Sequence, residues 1–191
     1  MLRRSLLTSA IAASLLTTFS LPAFATQVYE TDLVIIGGGL SGLAAAQSAV
    51  DQGAKPIVLE KEAALGGGGN FPEGSLGVGT RYQKEHNINT TVDQVLTAAL
   101  QYHHYRADPH VLRVLIEESG KTIDWVMDKG AQMRGIRTMY PKDESLMTWH
   151  LFKGGAAGII QRFAKEVRAK GGTILTETPA KKLIVENGKV V

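Results

Sequence analysis

Three glycines, Gly37, Gly39 and Gly42, and the carboxylate of Glu60 are the residues of this chain whose types and spacing can do chemistry together. The apolar run Leu33-Val34-Ile35-Ile36 leads into Gly37-x-Gly39-x-x-Gly42. An Ala-rich amphipathic stretch follows from Leu40-Ser41, and Pro56-Ile57-Val58-Leu59 then ends on Glu60. Strand, glycine turn, helix, second strand and terminal acid, in that order, predict a dinucleotide lying against the carboxyl ends of a parallel sheet. Gly37 permits the sharp turn, Gly39 lets a pyrophosphate approach the backbone, and Gly42 lets the helix pack close to the strands. The free N–H groups at Leu40 and Ser41 and the positive end of the helix dipole point at the phosphates. A carboxylate at position 60 accepts hydrogen bonds from ribose hydroxyls and repels a 2′-phosphate.

These groups need a scaffold, and periodicity supplies one. Strands are expected at 32–36 and 56–59, with a helix between them at 40–52 whose stripe is Leu43, Ala44, Ala46, Ala49 and Val50 and whose stop is Gly53. Residues 61–80 read as one long Gly-rich loop. Thr91 with Gln94 forms a capping box before a helix carrying Val95, Leu96, Ala99 and Leu100. Asp108-Pro109 starts another helix with Val111, Leu112, Leu115 and Ile116 as its core stripe, and a break near Gly120 separates it from a short helix ending at Gly130. Residues 131–152 lack periodicity and read as irregular. Gly154-Gly155 opens a helix with Ile159, Ile160, Phe163 and Val167 on one face, closed by Gly171-Gly172. Strands are expected at 173–177 and 181–185, the latter turning through Asn187-Gly188. The last strand is one or two residues long, which reads as an N-terminal fragment of a longer protein.

The composition, 44% hydrophobic and 20% charged over 191 residues, is that of a foldable globular chain. With no cysteine, disulfides, thiolate metal sites, iron–sulfur clusters and c-type haem attachment are excluded within it. Arg3-Arg4, the uncharged run from Leu6 to Leu21 and Ala23-Phe24-Ala25 form a secretory signal over residues 1–25, which implies a periplasmic or secreted protein. Twin-arginine and general secretion both fit the leader. Without those two arginines the excess of base over acid falls from three to one, and no basic stripe points to nucleic acid. The mature part contains no membrane span.

The run Glu60-Lys61-Glu62, then Leu65-Gly66-Gly67-Gly68-Gly69-Asn70, then Glu73-Gly74, added to Gly37–Gly42, resembles the fumarate reductase/succinate dehydrogenase flavoprotein family. Trp149-His150, Gly154-Gly155-Ala156, Thr178-Pro179-Ala180 and Glu186-Asn187-Gly188 follow that family's order. The resemblance implies FAD as cofactor. It implies a Rossmann-like α/β domain over residues 26–191, with a parallel sheet and helices on both faces, cut before the capping and C-terminal parts. Glu60 would bind the adenosine ribose. Gly66, Gly67, Gly68, Gly69, Asn70 and Gly74 would lie along pyrophosphate and flavin, and the backbone near Ala180 would touch adenine. Lys61 either screens phosphate charge or is simply solvated. At Asn70-Phe71-Pro72-Glu73-Gly74 the loop departs from the family's small residues. The family's proton-donating arginine and its carboxylate-clamping His and Arg belong to later segments.

The implied activity is hydride transfer from flavin N5 to an activated C=C of a small unsaturated acid, or the reverse, with a separate electron-transfer partner possible. Other flavin dehydrogenases, such as a 3-ketosteroid dehydrogenase or an amine oxidase, share the first glycine motif, and an inactive truncated FAD-binding fragment is a further alternative. A plain NAD-dependent dehydrogenase leaves Gly66–Gly69 unexplained. Catalytic residues are expected beyond Val191. Within the chain His150 is the one substrate-side candidate, its alternative role being to order a loop. His103, His104 and His110 have no acid at metal-ligand spacing.

Overall fold

The computed structural model describes residues 27–139 and 145–190. The expected signal at residues 1–25 lies outside them. Thr31–Val191 forms one compact unit.

The core of that unit is a parallel sheet of three strands in the order β1-β2-β6, with β1 at Val34–Ile36, β2 at Ile57–Leu59 and β6 at Thr173–Leu175. The register pairs Ile35 with Val58 and Val58 with Ile174. These three side chains share one face because strand residues alternate. Against that face pack α1 (Leu40–Asp51), through Ala46 and Val50, and α5 (Gly155–Ala169), through Val167. The expected parallel sheet is present. Among the described residues, however, α1 and α5 both lie on that same face rather than one on each. On the opposite face Val34 and Ile36 are 52% and 59% exposed.

A second sheet, antiparallel, was not expected. It orders β3 (Gly74–Leu76), β5 (Met147–Phe152) and β4 (Met133–Thr138) as β3-β5-β4. This corrects two expectations. The 61–80 loop contains β3 and a 3-10 turn at Gly67–Asn70, and 133–138 and 147–152 are strands. The pattern misleads because β5 buries polar residues: its inward positions are Thr148, His150 and Phe152, whereas apolar Met147, Trp149 and Leu151 are half-buried, so hydrophobicity alternates out of phase with burial.

The helices α2 (Arg81–Glu85), α3 (Val92–Tyr102) and α4 (Pro109–Asp128) complete the unit. The capping boxes at Thr91/Gln94 and, unexpected, at Thr80/Gln83 are both formed. Asp108 caps α4 by accepting from the amides of His110 and Val111. The predicted break at Gly120 does not occur, and α4 runs through it unbroken. Gly120 is there for a close approach instead: a Cβ would lie 2.1 Å from the carbonyl oxygen of Val78. The stripe of α4 is also shifted. Leu112, Ile116, Ile123 and Val126 face inward, whereas Val111 and Leu115 are 66% and 58% exposed. The strand expected at 181–185 shrinks to β7 (Val185–Glu186), paired with β8 (Lys189–Val190) across an Asn187-Gly188 turn with both φ positive.

At the base of the helices Asp51 accepts from Lys129 at 2.5 Å and Lys170 at 2.7 Å, tying the ends of α1, α4 and α5 together. Hydrogen bonds from Lys129 and then Lys170 hold the Asp51 carboxyl down at about 2.

Candidate functional site, a phosphate turn and its acid

β1 delivers the chain to Gly37, whose amide donates to the Leu59 carbonyl at 2.8 Å and whose φ of +102° turns the backbone off the sheet. The chain enters α1 through Gly39, which caps it without a side chain. The first amide to find an intrahelical partner is Leu43, donating to Gly39 at 2.9 Å. No bond within the described residues uses the amides of Ser41 and Gly42. Unpaired donors at a helix N-terminus, where the dipole is positive, suit an anion. A Cβ on Gly42 would stand 2.0 Å from the Gly37 carbonyl oxygen, so only glycine lets α1 start this close to the turn.

Glu60, at the end of β2, is 8% exposed and faces the turn. Its Oε2 accepts from the Gly38 amide at 2.6 Å and its Oε1 from the Glu62 amide at 2.9 Å. The bond from Glu62, then that from Gly38, outweighs burial and lowers its pKa, so the group is an anion at neutral pH. Each oxygen keeps a lone pair for a further donor. The Glu60 carbonyl also accepts from the Thr178 amide at 2.8 Å, which brings the segment leading to exposed Ala180 alongside.

The glycine loop closes over the turn. Gly66 donates to the Gly38 carbonyl at 2.8 Å, Gly69 donates to Gly66, and Gly69 packs beside Leu40. Gly67 and Gly68 are exposed, with open space where a Cβ would point. Asn70 shapes the loop itself, because its side-chain amide donates to the Leu65 carbonyl at 2.9 Å and folds the loop shut under Gly66. Gly74 answers to the second sheet, since a Cβ there would meet the His150 carbonyl oxygen at 2.0 Å. Lys61 is exposed and pairs with Glu62 at 3.5 Å.

His150 is fully buried on β5. Its Nε2 lies 2.9 Å from Thr80 Oγ1 and its Nδ1 3.0 Å from the Thr148 carbonyl. Burial lowers its pKa. Both ring nitrogens are engaged internally, and the side chain clamps the Thr80 cap onto the second sheet. Gly38 is a site position that sequence reasoning passed over. A Cβ there would lie 2.6 Å from Leu65 Cδ2 and 3.1 Å from Glu60 Oε2, and the uninterrupted Gly37-Gly38-Gly39 triplet was its signal.

Taken together, unpaired amides at Ser41 and Gly42, a side-chain-free approach at Gly39 and an ionised acid with open lone pairs fit the ADP half of FAD. Known proteins agree with that fit. The FAD binding domain family (FAD_binding_2) matches residues 32–191. A vinyl phenol reductase of Lactiplantibacillus plantarum is 35% identical over 150 residues, 78% of this chain and 30% of that protein. A fumarate reductase (cytochrome) of Shewanella frigidimarina is 31% identical over 61% of this chain and 21% of its own length. The open conformation of a flavocytochrome c3 fumarate reductase superposes with a TM-score of 0.68 at 21% identity, over 82% of this chain and 28% of that one. This chain thus spans under a third of each of these three proteins. With its glycine turn, acid and parallel sheet in place, it belongs to the FAD binding domain family and is homologous to the fumarate reductase/succinate dehydrogenase flavoproteins.

Proposed function

We propose that this chain holds the ADP moiety of FAD in an exported reductase that acts on an activated carbon–carbon double bond. The observation that carries the reading is Glu60 locked onto the Gly38 amide beside the unpaired amides of Ser41 and Gly42. When bound, FAD supplies a hydride from its N5 to one carbon of such a bond. The chain's own residues bind and orient. Ser41 and Gly42 donate to the diphosphate, Glu60 accepts from the ribose hydroxyls, and Gly67 and Gly68 leave the cofactor's path open. The carboxylate at position 60 also selects against a 2′-phosphate. The backbone at Ala180, two residues past the Thr178 amide that donates to the Glu60 carbonyl, would line the adenine. His150, with both nitrogens engaged, holds the second sheet in place and moves no proton.

The relatives' names span a dicarboxylate and a vinyl phenol, so the likeness supports the reaction class across acidic and neutral substrates. The leader at residues 1–25 supports export. The test is anaerobic: protein carrying this chain is reduced with dithionite, then mixed with fumarate or 4-vinylphenol. Return of the oxidised flavin spectrum with an alkene supports the reading. Protein without flavin, or reduced flavin that no activated alkene reoxidises, overturns it.

A further inference from the structure

An apolar cavity of about 290 Å³ opens between α1, α4, α5 and the β3–β5 pair. Trp125, Trp149, Phe152 and Phe163 form its aromatic walls. Leu40, Pro72 and Gly74, from the segments that flank the phosphate turn and follow the glycine loop, close one side. Among the described residues no Asp, Glu, Lys, Arg or His lines it, and its polar side chains besides the indoles are Ser75 and Thr122. Trp125 and Trp149 are half-buried, so part of the aromatic wall meets solvent.

We propose that this cavity is a binding site for an uncharged monocyclic aromatic molecule. Three features select that occupant. The first is size: an apolar cavity of about 150 Å³ holds a benzene ring, so this one takes a ring with a short side chain. The second is charge: a carboxylate inside would face no counter-ion and no charged donor among the described residues, and a buried unpaired charge is strongly disfavoured. The third is the wall: Trp125 and Phe163 already meet edge to face, with centroids 5.2 Å apart, and a third ring extends that packing. The role of the cavity as the substrate's ring pocket rests on the flavoenzyme reading, because its wall includes Leu40 and Gly74. Binding itself does not depend on that reading.

Trp125 and Trp149 are the only tryptophans of the chain, and both line the cavity. Intrinsic emission is therefore a direct readout. The purified chain is titrated with 4-ethylphenol, with benzoate and fumarate as charged comparators. The expected result is a saturable emission change with 4-ethylphenol alone, and an affinity at least about tenfold weaker in Ala156→Phe, which fills the cavity. If circular dichroism shows Ala156→Phe unfolded, Ala44→Leu, on the opposite wall, carries the same expectation. No saturable change with 4-ethylphenol, equal affinity in the filled variant, or binding of benzoate or fumarate as tight as that of 4-ethylphenol would overturn the proposal. FAD binding, followed by visible absorbance in the same sample, reports separately on the cofactor.

Discussion

Replacing Gly42 with alanine sets two effects of known size against each other. Gly42 sits in the first turn of α1, and alanine is the better helix former by about 1 kcal/mol. The new Cβ would lie 2.0 Å from the Gly37 carbonyl oxygen, 3.1 Å from its carbon and 3.4 Å from Ile35 Cγ2. That is roughly 1.3 Å short of the ~3.3 Å at which carbon and carbonyl oxygen ordinarily meet. Neither side yields easily. Gly37 is pinned by the hydrogen bond from its amide to the Leu59 carbonyl, and α1 is pinned by Leu43, Ala46 and Val50 in the core. Overpacking of this kind costs up to about 3 kcal/mol, which exceeds the propensity gain. The net expectation is a loss of about 2 kcal/mol, a fall of roughly 4–8 °C in Tm for a chain of this size. Moving the helix start also misplaces the amides of Ser41 and Gly42, so FAD affinity falls at least about tenfold. Thermal unfolding by circular dichroism and a FAD titration read the two effects. Gly135→Ala, where nothing lies within 4 Å, is the control and stays within about 0.5 kcal/mol of the parent. A Gly42→Ala chain as stable as the parent, binding FAD equally well, would refute the reasoning.

The same logic applied to Gly120→Ala predicts destabilisation of about 1–3 kcal/mol in denaturant unfolding, although the site is mid-helix, because the Val78 carbonyl lies 2.1 Å from the new Cβ. Asp51→Asn removes the negative charge shared by Lys129 and Lys170, and urea unfolding at neutral pH is expected to show a loss on the order of 1 kcal/mol. That contribution is full above the ordinary carboxyl value of 3.8 and disappears as pH falls toward about 2. His150 is depressed by burial, so the unfolded chain takes up its proton first. Stability is complete above the ordinary value of 6.5 and declines as pH falls below it. His150→Gln should flatten that part of the pH–stability profile measured by thermal unfolding.

What was legible in the sequence was whatever announces itself locally. The fingerprint, the capping box at Thr91, the Asp108-Pro109 cap and the Asn187-Gly188 turn each depend on a few adjacent residues, and all of them formed. What escaped depends on distant partners. β5 hides because its buried positions hold Thr148 and His150, which are satisfied or packed only once β3 and Thr80 arrive. Gly120 looked like a helix break because glycine is a poor helix former, but its neighbour is a carbonyl 42 positions upstream at Val78. At the turn, the close packing at Gly42 and the placing of an acid at the end of β2 were readable. The division of labour among the later glycines was not: Gly67 and Gly68 face open space, while Gly66 and Gly74 are tied to Asn70 and to β5.

The most direct test follows backbone amides. The isotope-labelled chain is titrated with ADP and with FAD while its amide resonances are recorded. Saturable shifts concentrated at Ser41, Gly42 and the amides of Gly38 and Glu62 that hold Glu60, and lost in Glu60→Ala, are the expected result. Shifts that avoid these residues, or a Glu60→Ala chain that responds unchanged, would contradict the account.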